Sequence, residues 1–452
     1  MDWPLSSSQY LRDTSREYAL YVCENRAVPQ VTDGLKHGQR MALWVLRNRE
    51  EKLKTIALTG LLAYQKLYVH GDVSCNNAIG LLAAPYKNNV PLIEGLGEFG
   101  SRVVPDAIGA PRYTECRRAK AAQAFLYNDL DIVPLEENYD GSNQQPKHFL
   151  PLVPTVLLNG ISGIAVGWST NILSRDLKAL VEATKQAVAK QPIKPVPPHY
   201  ARYDIQIAPL GPNQWEFTGR AKIIDSSTVQ ITELPPGLSI ETFRRRLIDM
   251  ENAEEIQNFI DRSTETINIT IKMKRGSIAN WTTKQAIDLF KLRERVTERI
   301  VVIDWDGKAI RTYANAESLI QDFAAWRLGW YTTRFEFNKR RDSYELIFWL
   351  AVEALFESSF PKRLGGFGDR IALQDAMLKV VNKRSISLDA AQIERIVSLP
   401  TYRWTKEFEQ HVKKMIVELR QAIEEFENIL ASPERLQSIY LNELDQIKRI
   451  SS

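Results

Sequence analysis

Cysteine is scarce in this chain, with three among 452 residues. Cys23, Cys75 and Cys116 lie far apart and show no metal-type spacing. That excludes a disulfide-built secreted fold and a zinc site, and it fits a reducing, cytoplasmic setting. The five histidines (His37, His70, His148, His199, His411) form no His-x-x-x-His pair, so a histidine metal site is not expected. No apolar run reaches the ~18 residues of a spanning helix, and Met1-Asp2-Trp3-Pro4 is no secretory signal, so no membrane is expected. Repeats and low-complexity tracts are missing. Gly365-Gly366-Phe367-Gly368 lacks a following Lys-Ser/Thr and is no phosphate cradle. Asp129-Leu130-Asp131 has no acidic partner motif and is not read as a metal pair. A large excess of one charge sign is missing too: the net charge is +4, weak evidence by itself for nucleic acid.

What is there is an ordinary globular composition, 44% hydrophobic and 25% charged, in a chain long enough for several domains. The pattern predicts an α+β protein in three parts. Residues 1–150 read as short helices joined by tight turns. Ser15–Ala27 has helical period and stops before Pro29; Lys54–Lys66 is another helix; Ser74 is expected to cap a third. Helix, glycine turn, helix is the layout of winged-helix DNA readers. Residues 151–315 alternate strands with helices. Strands are expected over Val153–Leu158, Ile164–Val166, Tyr203–Ile207, Trp215–Ile224, Thr228–Thr232, Thr266–Met273 and Val296–Trp305, with a hairpin at Asp306-Gly307. Residues 316–452 are helical. A seam through Leu319, Phe323, Trp326, Trp330, Phe337, Tyr344, Phe348, Ala351 and Leu355 predicts a long coiled-coil helix. A small knob at about 361–400 follows, and a second long helix returns through Val412, Ile416, Leu419, Ile423 and Phe426, making an antiparallel arm.

Arg112-Tyr113-Thr114-Glu115 follows a glycine-rich segment, Glu94-Gly95-Leu96-Gly97-Glu98-Phe99-Gly100-Ser101, and a His70-Gly71-Asp72 turn. A tyrosine beside an arginine can attack a phosphodiester, the cation stabilising the charge that develops on phosphorus. A phenol has a pKa of ~10, so its proton must leave during attack.

These segments, with Glu24–Pro29 leading to Asp33-Gly34-Leu35-Lys36, then Asn138-Tyr139-Asp140-Gly141 and Leu158-Asn159-Gly160-Ile161-Ser162-Gly163-Ile164-Ala165-Val166-Gly167, carry a resemblance. In this order, over residues ~10 to ~450, the chain resembles the DNA-cleaving, gyrase A-like subunit of type IIA DNA topoisomerases. The shorter form found in T-even bacteriophages is the nearest in layout. The resemblance implies a winged-helix cleavage domain, an α/β tower, and a coiled-coil arm with an exit gate, and no C-terminal DNA-wrapping propeller. It makes Tyr113 the nucleophile that joins a 5′ phosphate, with Arg112 and His70 as its catalytic companions. Arg26, Lys36 and Arg40 become backbone grips, and Ile164 the wedge that opens a base step. Tyr68 stands where the family has a histidine; Gln39 and Met41 stand where it has His and Arg. Tyr68 and Gln39 are carried as DNA-binding positions. The resemblance also implies double-stranded DNA as substrate, a homodimer within a larger heteromeric complex, and a partner subunit that holds ATP and Mg2+.

Two rival readings use the same residues. A winged-helix/coiled-coil protein could bridge DNA without catalysis. A tyrosine recombinase also forms a tyrosyl ester, but its tyrosine is typically C-terminal, whereas Tyr113 lies in the first third.

Overall fold

A computed structural model describes residues 7–105 and 107–450; Met1–Pro4, read above as no signal, lies outside the described residues. The chain forms two compact units, one made of residues up to Arg327 together with Leu441 onward, the other of Leu328–Tyr440.

The first unit opens with helix α1 (Ser7–Val22), which runs into one π-helical turn, Cys23–Ala27, closed by Val28 N–H donating to the Cys23 carbonyl at 3.0 Å. Helices α2 (His37–Leu46), α3 (Thr55–Tyr64) and α4 (Asp72–Ala83) follow, with strands β1 (Leu53–Lys54), β2 (Ile93–Leu96) and β3 (Glu115–Arg118). The strands pair antiparallel in the order β1-β3-β2. Three helices and this small sheet make a winged helix. Met41, Ala42, Leu43, Val45 and Leu46 are all buried, so α2 is a core helix. Helix α4 starts from Gly71, with Asp72 in the first turn where the helix dipole favours an acid. Ser74 is therefore not the expected cap; its hydroxyl accepts from Tyr68 instead.

Asp33 ties three segments together. Its carboxylate is fully buried and takes both Nε (2.6 Å) and Nη2 (2.8 Å) of Arg40. It also accepts from the N–H of Leu35 (3.1 Å) and of Phe149 (3.0 Å), while its carbonyl accepts from Thr155 Oγ1. The next residue, Gly34, has φ +67°, and a Cβ there would lie 2.3 Å from Val156 N. Only glycine suits that backbone and that approach.

Beyond this junction lie, among the described residues, a two-stranded hairpin, Ile161–Ala165 with Trp168–Ile172, and three further sheets of four, three and two strands. The four-stranded sheet runs in the order Arg220–Asp225, Thr228–Glu233, Ile269–Lys272, Asn258–Asp261. Helix Ile240–Asn252 covers it through Phe243 and Leu247. Three expected strands differ. Thr155–Leu158 is a short helix, buried on every side, so its apolar run carries no strand alternation. Trp215–Ile224 breaks at Gly219, where a Cβ would meet Glu233 O at 2.4 Å. Val296–Trp305 breaks at Glu298, whose carboxylate turns inward to form a bidentate pair with Arg175, both contacts at 2.6 Å. Asp129, set aside as a metal ligand, pairs with buried Arg327.

The long helix Ala316–Glu357 belongs to the second unit from Leu328 onward, and there it packs on Lys406–Leu430. Phe335 meets Phe426 and Trp349 meets Phe408, so the two helices run antiparallel. The seam departs from the expected one. Tyr331 and Phe335 are buried, while Tyr344 is exposed. Tyr331 packs on Tyr440 of the last helix and Phe335 on Phe426, so the buried positions there follow these partners, and the expected ones return at Phe348, Ala351 and Leu355. The knob helices Arg370–Asn382 and Ala390–Val397 close a core of Phe348, Leu355, Phe360, Met377, Val381 and Ile396. Among the described residues, no helix is long and apolar enough to cross a membrane.

Two outcomes follow from the Asp33 junction. Asp33→Ala strands a buried guanidinium, and urea unfolding is expected to show a loss of about 3–5 kcal/mol. His148 and His37 are held neutral near it: burial pushes each ring down from 6.5 to about 4, with Arg40 adding to the effect in both. The unfolded chain therefore protonates first. Their contribution is complete above pH 6.5 and disappears as the pH falls through about 4, each on the order of 3 kcal/mol at full shift. Denaturant melts between pH 7 and 4 should show that decline, and His148→Gln should flatten it.

Candidate active site and nucleic-acid interface

The π-helical turn that ends α1 pushes Arg26 into solvent. Such turns recur where a helix must aim one side chain. Arg26 Nη2 donates to His70 Nδ1 at 3.0 Å, and Tyr21 Oη lies 2.8 Å from His70 Nε2. A guanidinium can only donate; the same Nη2 lies 3.4 Å from Nε2, so the closer Nδ1 is taken as its acceptor and the ring proton is assigned to Nε2. Nε2–H then donates to the Tyr21 oxygen, leaving the Tyr21 hydroxyl hydrogen free for another acceptor. Partial burial, and then the Arg26 charge, hold His70 below its ordinary value, in keeping with a neutral ring. Tyr68 stands edge-on to His70, ring centres 5.2 Å apart, and its hydroxyl donates to Ser74 Oγ at 3.0 Å. A Cβ on Gly38 would lie 2.7 Å from the Tyr68 ring, so the phenol wedges the start of α2 against His70.

Lys36 sits just before α2. Its Nζ donates to the Ser162 carbonyl at 3.0 Å, and burial lowers its pKa. Gln39 accepts from the Lys36 N–H at 3.0 Å and so caps the helix. Arg40 does not join this surface. It is buried, and its guanidinium is committed to Asp33 and to the Leu35 carbonyl. The expectation that it grips a phosphate is corrected: the adjacent carboxylate turns it into a core ion pair. Position 41 also points inward, since Met41 is fully buried.

Ile164 is 87% exposed near the tip of the hairpin, opposite Ser169. Gly163 lies against the π turn, where a Cβ would meet the Ala27 carbonyl at 1.9 Å. The missing side chain lets the hairpin seat directly beside Arg26.

Tyr113 is 72% exposed, and the Arg112 guanidinium lies over its ring, 4.9 Å from the centroid. Its backbone is anchored below. The N–H groups of Tyr113 and Thr114 both donate to Ala110 O (2.9 and 3.2 Å), closing the turn. The first N–H groups of α3, Thr55 and Ile56, donate to the carbonyls of Thr114 and Pro111. Buried Thr55 and Thr114 share a hydroxyl contact of 2.8 Å. The glycine-rich loop explains itself here, because Gly97 (φ +107°) and Gly109 make room for the Thr114 methyl.

The structure thus gathers Arg26, Tyr68 and His70 into one cluster, ties Lys36 at the start of α2 to the hairpin that carries Ile164, and sets Arg112 and Tyr113 on a separate loop. Among the described residues no hydrogen bond or ring contact links Tyr113 to the His70 cluster, and no three His, Cys, Asp or Glu side chains could hold a metal ion. Sequence reasoning missed Tyr21, Thr55 and Thr114. Tyr21 is one of 16 tyrosines in a helical pattern, with nothing local to single it out. The Thr114 signal was present, since it sits beside Tyr113, but its partner is 59 residues away.

A family model for the A-type chain of DNA gyrase/topoisomerase IV matches residues 26–445. The DNA topoisomerase medium subunit of Enterobacteria phage T4 is 28% identical over 421 residues, covering 91% of this chain and 92% of the phage protein. DNA topoisomerase 2 of Penicillium chrysogenum is 29% identical over 358 residues, 76% of this chain and 22% of the fungal one. Human DNA topoisomerase 2-alpha is 30% identical over 325 residues, 69% of this chain and 21% of the human one. The chain therefore spans about a fifth of the length of those two relatives. The fold is shared with the crystal structure of the Plasmodium falciparum topoisomerase II DNA-binding, cleavage and re-ligation domain. That likeness has a TM-score of 0.87 and 23% identity, over 99% of this chain and 65% of the other. With the family match running from Arg26, at the His70 cluster, through Tyr113 and into the last helix, the chain belongs to the DNA gyrase/topoisomerase IV A-type family.

Proposed function

We propose that this chain is the DNA cleavage and religation subunit of an ATP-dependent type II DNA topoisomerase. The observation that carries the reading is Tyr113: an exposed phenol under an arginine, on a turn fixed to the start of α3. Tyr113 Oη attacks a backbone phosphorus, and the bond from phosphorus to the 3′ oxygen breaks. The phenol gives up its proton, and the departing 3′ oxygen gains one. The product is a 5′-phosphotyrosyl ester that keeps the bond energy, so religation is the same step reversed. Arg112 is positioned to stabilise the charge on the attacked phosphorus.

Arg26 and Tyr21 offer a guanidinium and a free hydroxyl hydrogen to one phosphate, and His70 holds the two in place. Lys36 offers a second cation. Contacts of this type position a duplex without reading its sequence. Ile164 inserts between base pairs; unstacking costs a few kcal/mol and is offset by the backbone contacts a bent duplex gains. Tyr68 and Gln39 support this surface, Tyr68 by bracing His70 and Gln39 by capping the helix that carries Lys36.

In this reading residues 1–150 are the cleavage domain, 151–315 the tower and 316–452 the arm, with an exit gate at about 361–400. Two copies cut opposite strands. In this reading Mg2+ and ATP are held mainly by a partner subunit, and no step here runs through them. Three free, buried cysteines fit a reducing cytoplasm, that of a bacterial host if the source is a phage.

Tyr113→Phe should abolish strand cleavage in gel assays with the partner ATPase subunit present, while duplex affinity stays within about twofold of wild type, because one exposed hydroxyl contributes little to backbone binding. Relaxation at the wild-type rate by that variant overturns the nucleophile assignment. The purified chain alone should bind duplex DNA and leave its linking number unchanged.

A further inference from the structure

The segment Thr297-Glu298-Arg299 runs beside the Ile164 hairpin. Side chains alternate along it: Glu298 turns inward to Arg175, so Thr297 and Arg299 face outward. The backbone of Arg299 exchanges two hydrogen bonds of 2.9 Å with Asn171 on the hairpin. Its guanidinium donates to Ser169 Oγ, and Ser169 is the cross-strand partner of Ile164. The other strand of the same hairpin receives Lys36, through the Ser162 carbonyl two residues before Ile164. One exposed apolar tip therefore carries a cation fixed to each of its strands.

A groove of about 630 Å³ lies on the Arg299 side, lined by Ser162, Ile164, Ser169, Asn171, Thr297 and Arg299 among others. Its described lining holds hydroxyls, an amide and one guanidinium, and no carboxylate. That lining suits a sugar–phosphate strand through the Arg299 guanidinium and the Ser and Thr297 hydroxyls, which can donate to a phosphate oxygen, while the Thr170 hydroxyl and Asn171 amide already donate to the carbonyls of Arg299 and Thr297. A step opened by a wedge has a phosphate on each strand beside it, and each must be held if the bend is to persist.

We propose that Arg299 is a DNA-backbone contact. It seats the phosphate of one strand next to the step opened by Ile164, as the counterpart of Lys36 on the other. The proposal rests on the reading of Ile164 as the wedge. Arg299 also stiffens the hairpin through Ser169, so the guanidinium both aims the wedge and neutralises the strand that the wedge displaces.

The test uses the full chain and a short duplex carrying a donor and an acceptor dye at its ends, titrated over a range of salt concentrations. Arg299→Gln should weaken binding at moderate salt and lower the slope of log affinity against log salt by ~1, the signature of one lost phosphate contact. Arg299→Lys keeps the charge and should restore the slope. Since Arg299 is exposed, both variants are expected to fold. A slope in Arg299→Gln equal to wild type overturns the proposal, and so does a lowered slope that Arg299→Lys fails to restore. Energy transfer between the dyes judges the wedge separately. Ile164→Ala should lose bending with its salt slope unchanged. Bending that survives in Ile164→Ala overturns the wedge reading and the placement of the phosphate beside it, whatever the slope of Arg299→Gln.

Discussion

A single buried carboxylate organises the part of this chain that carries Lys36 and Ile164. Asp33 accepts from Arg40, Leu35 and Phe149, and its own carbonyl holds Thr155. These contacts set the start of α2, and with it Lys36, against the segment that leads to the Ile164 hairpin. A charge pair of this burial is poor evidence of net stabilisation, since desolvation offsets most of its attraction. What it supplies is geometry. Two stretches of chain more than a hundred residues apart meet in one register, and the glycine beside the aspartate lets their backbones touch.

The same economy of contacts runs through the surface built on that junction. His70 has both ring nitrogens engaged, one by a donor that cannot accept, so its proton is assigned by its neighbours. Tyr68 uses its ring to brace and its hydroxyl to bond within the chain. The residues left open toward solvent are Arg26, Ile164, Arg112 and Tyr113. They differ in chemistry: cation, exposed apolar side chain, cation and phenol. Each is exposed at its tip and fixed at its backbone, by the π turn, the close-packed Gly163, and the start of α3. A phenol held this way, in the proposed role of nucleophile, loses little freedom on reaching the transition state, which is how positioning lowers a barrier.

The α+β class, the antiparallel arm, the hairpin at Asp306-Gly307 and the exposed Ile164 were legible because each has a local pattern: a period, a turn pair, a glycine-flanked apolar tip. The fate of Arg40 was not. On a sequence it is one cation beside Lys36, and only the fold shows that Asp33 sits inside with it. Thr155–Leu158 misled because an apolar run of that length has no alternation to separate strand from helix. The seam between Trp330 and Phe348 differed because its buried residues answer to two helices, Tyr331 to Tyr440 and Phe335 to Phe426, and a two-helix heptad pattern foresees only one. Tyr21 and Arg299 were invisible for a further reason. Their meaning lies in partners 49 and 130 residues away.

The central claim is that the Tyr113 oxygen exchanges places with a 3′ oxygen on DNA. The direct measurement is to quench a complete reaction, including the partner subunit, with denaturant, digest the protein, and identify the peptide that stays on the DNA. The account predicts the peptide containing Tyr113, joined to the 5′ end of the break. No linked peptide, a linked peptide from elsewhere in the chain, or attachment to the 3′ end would contradict it.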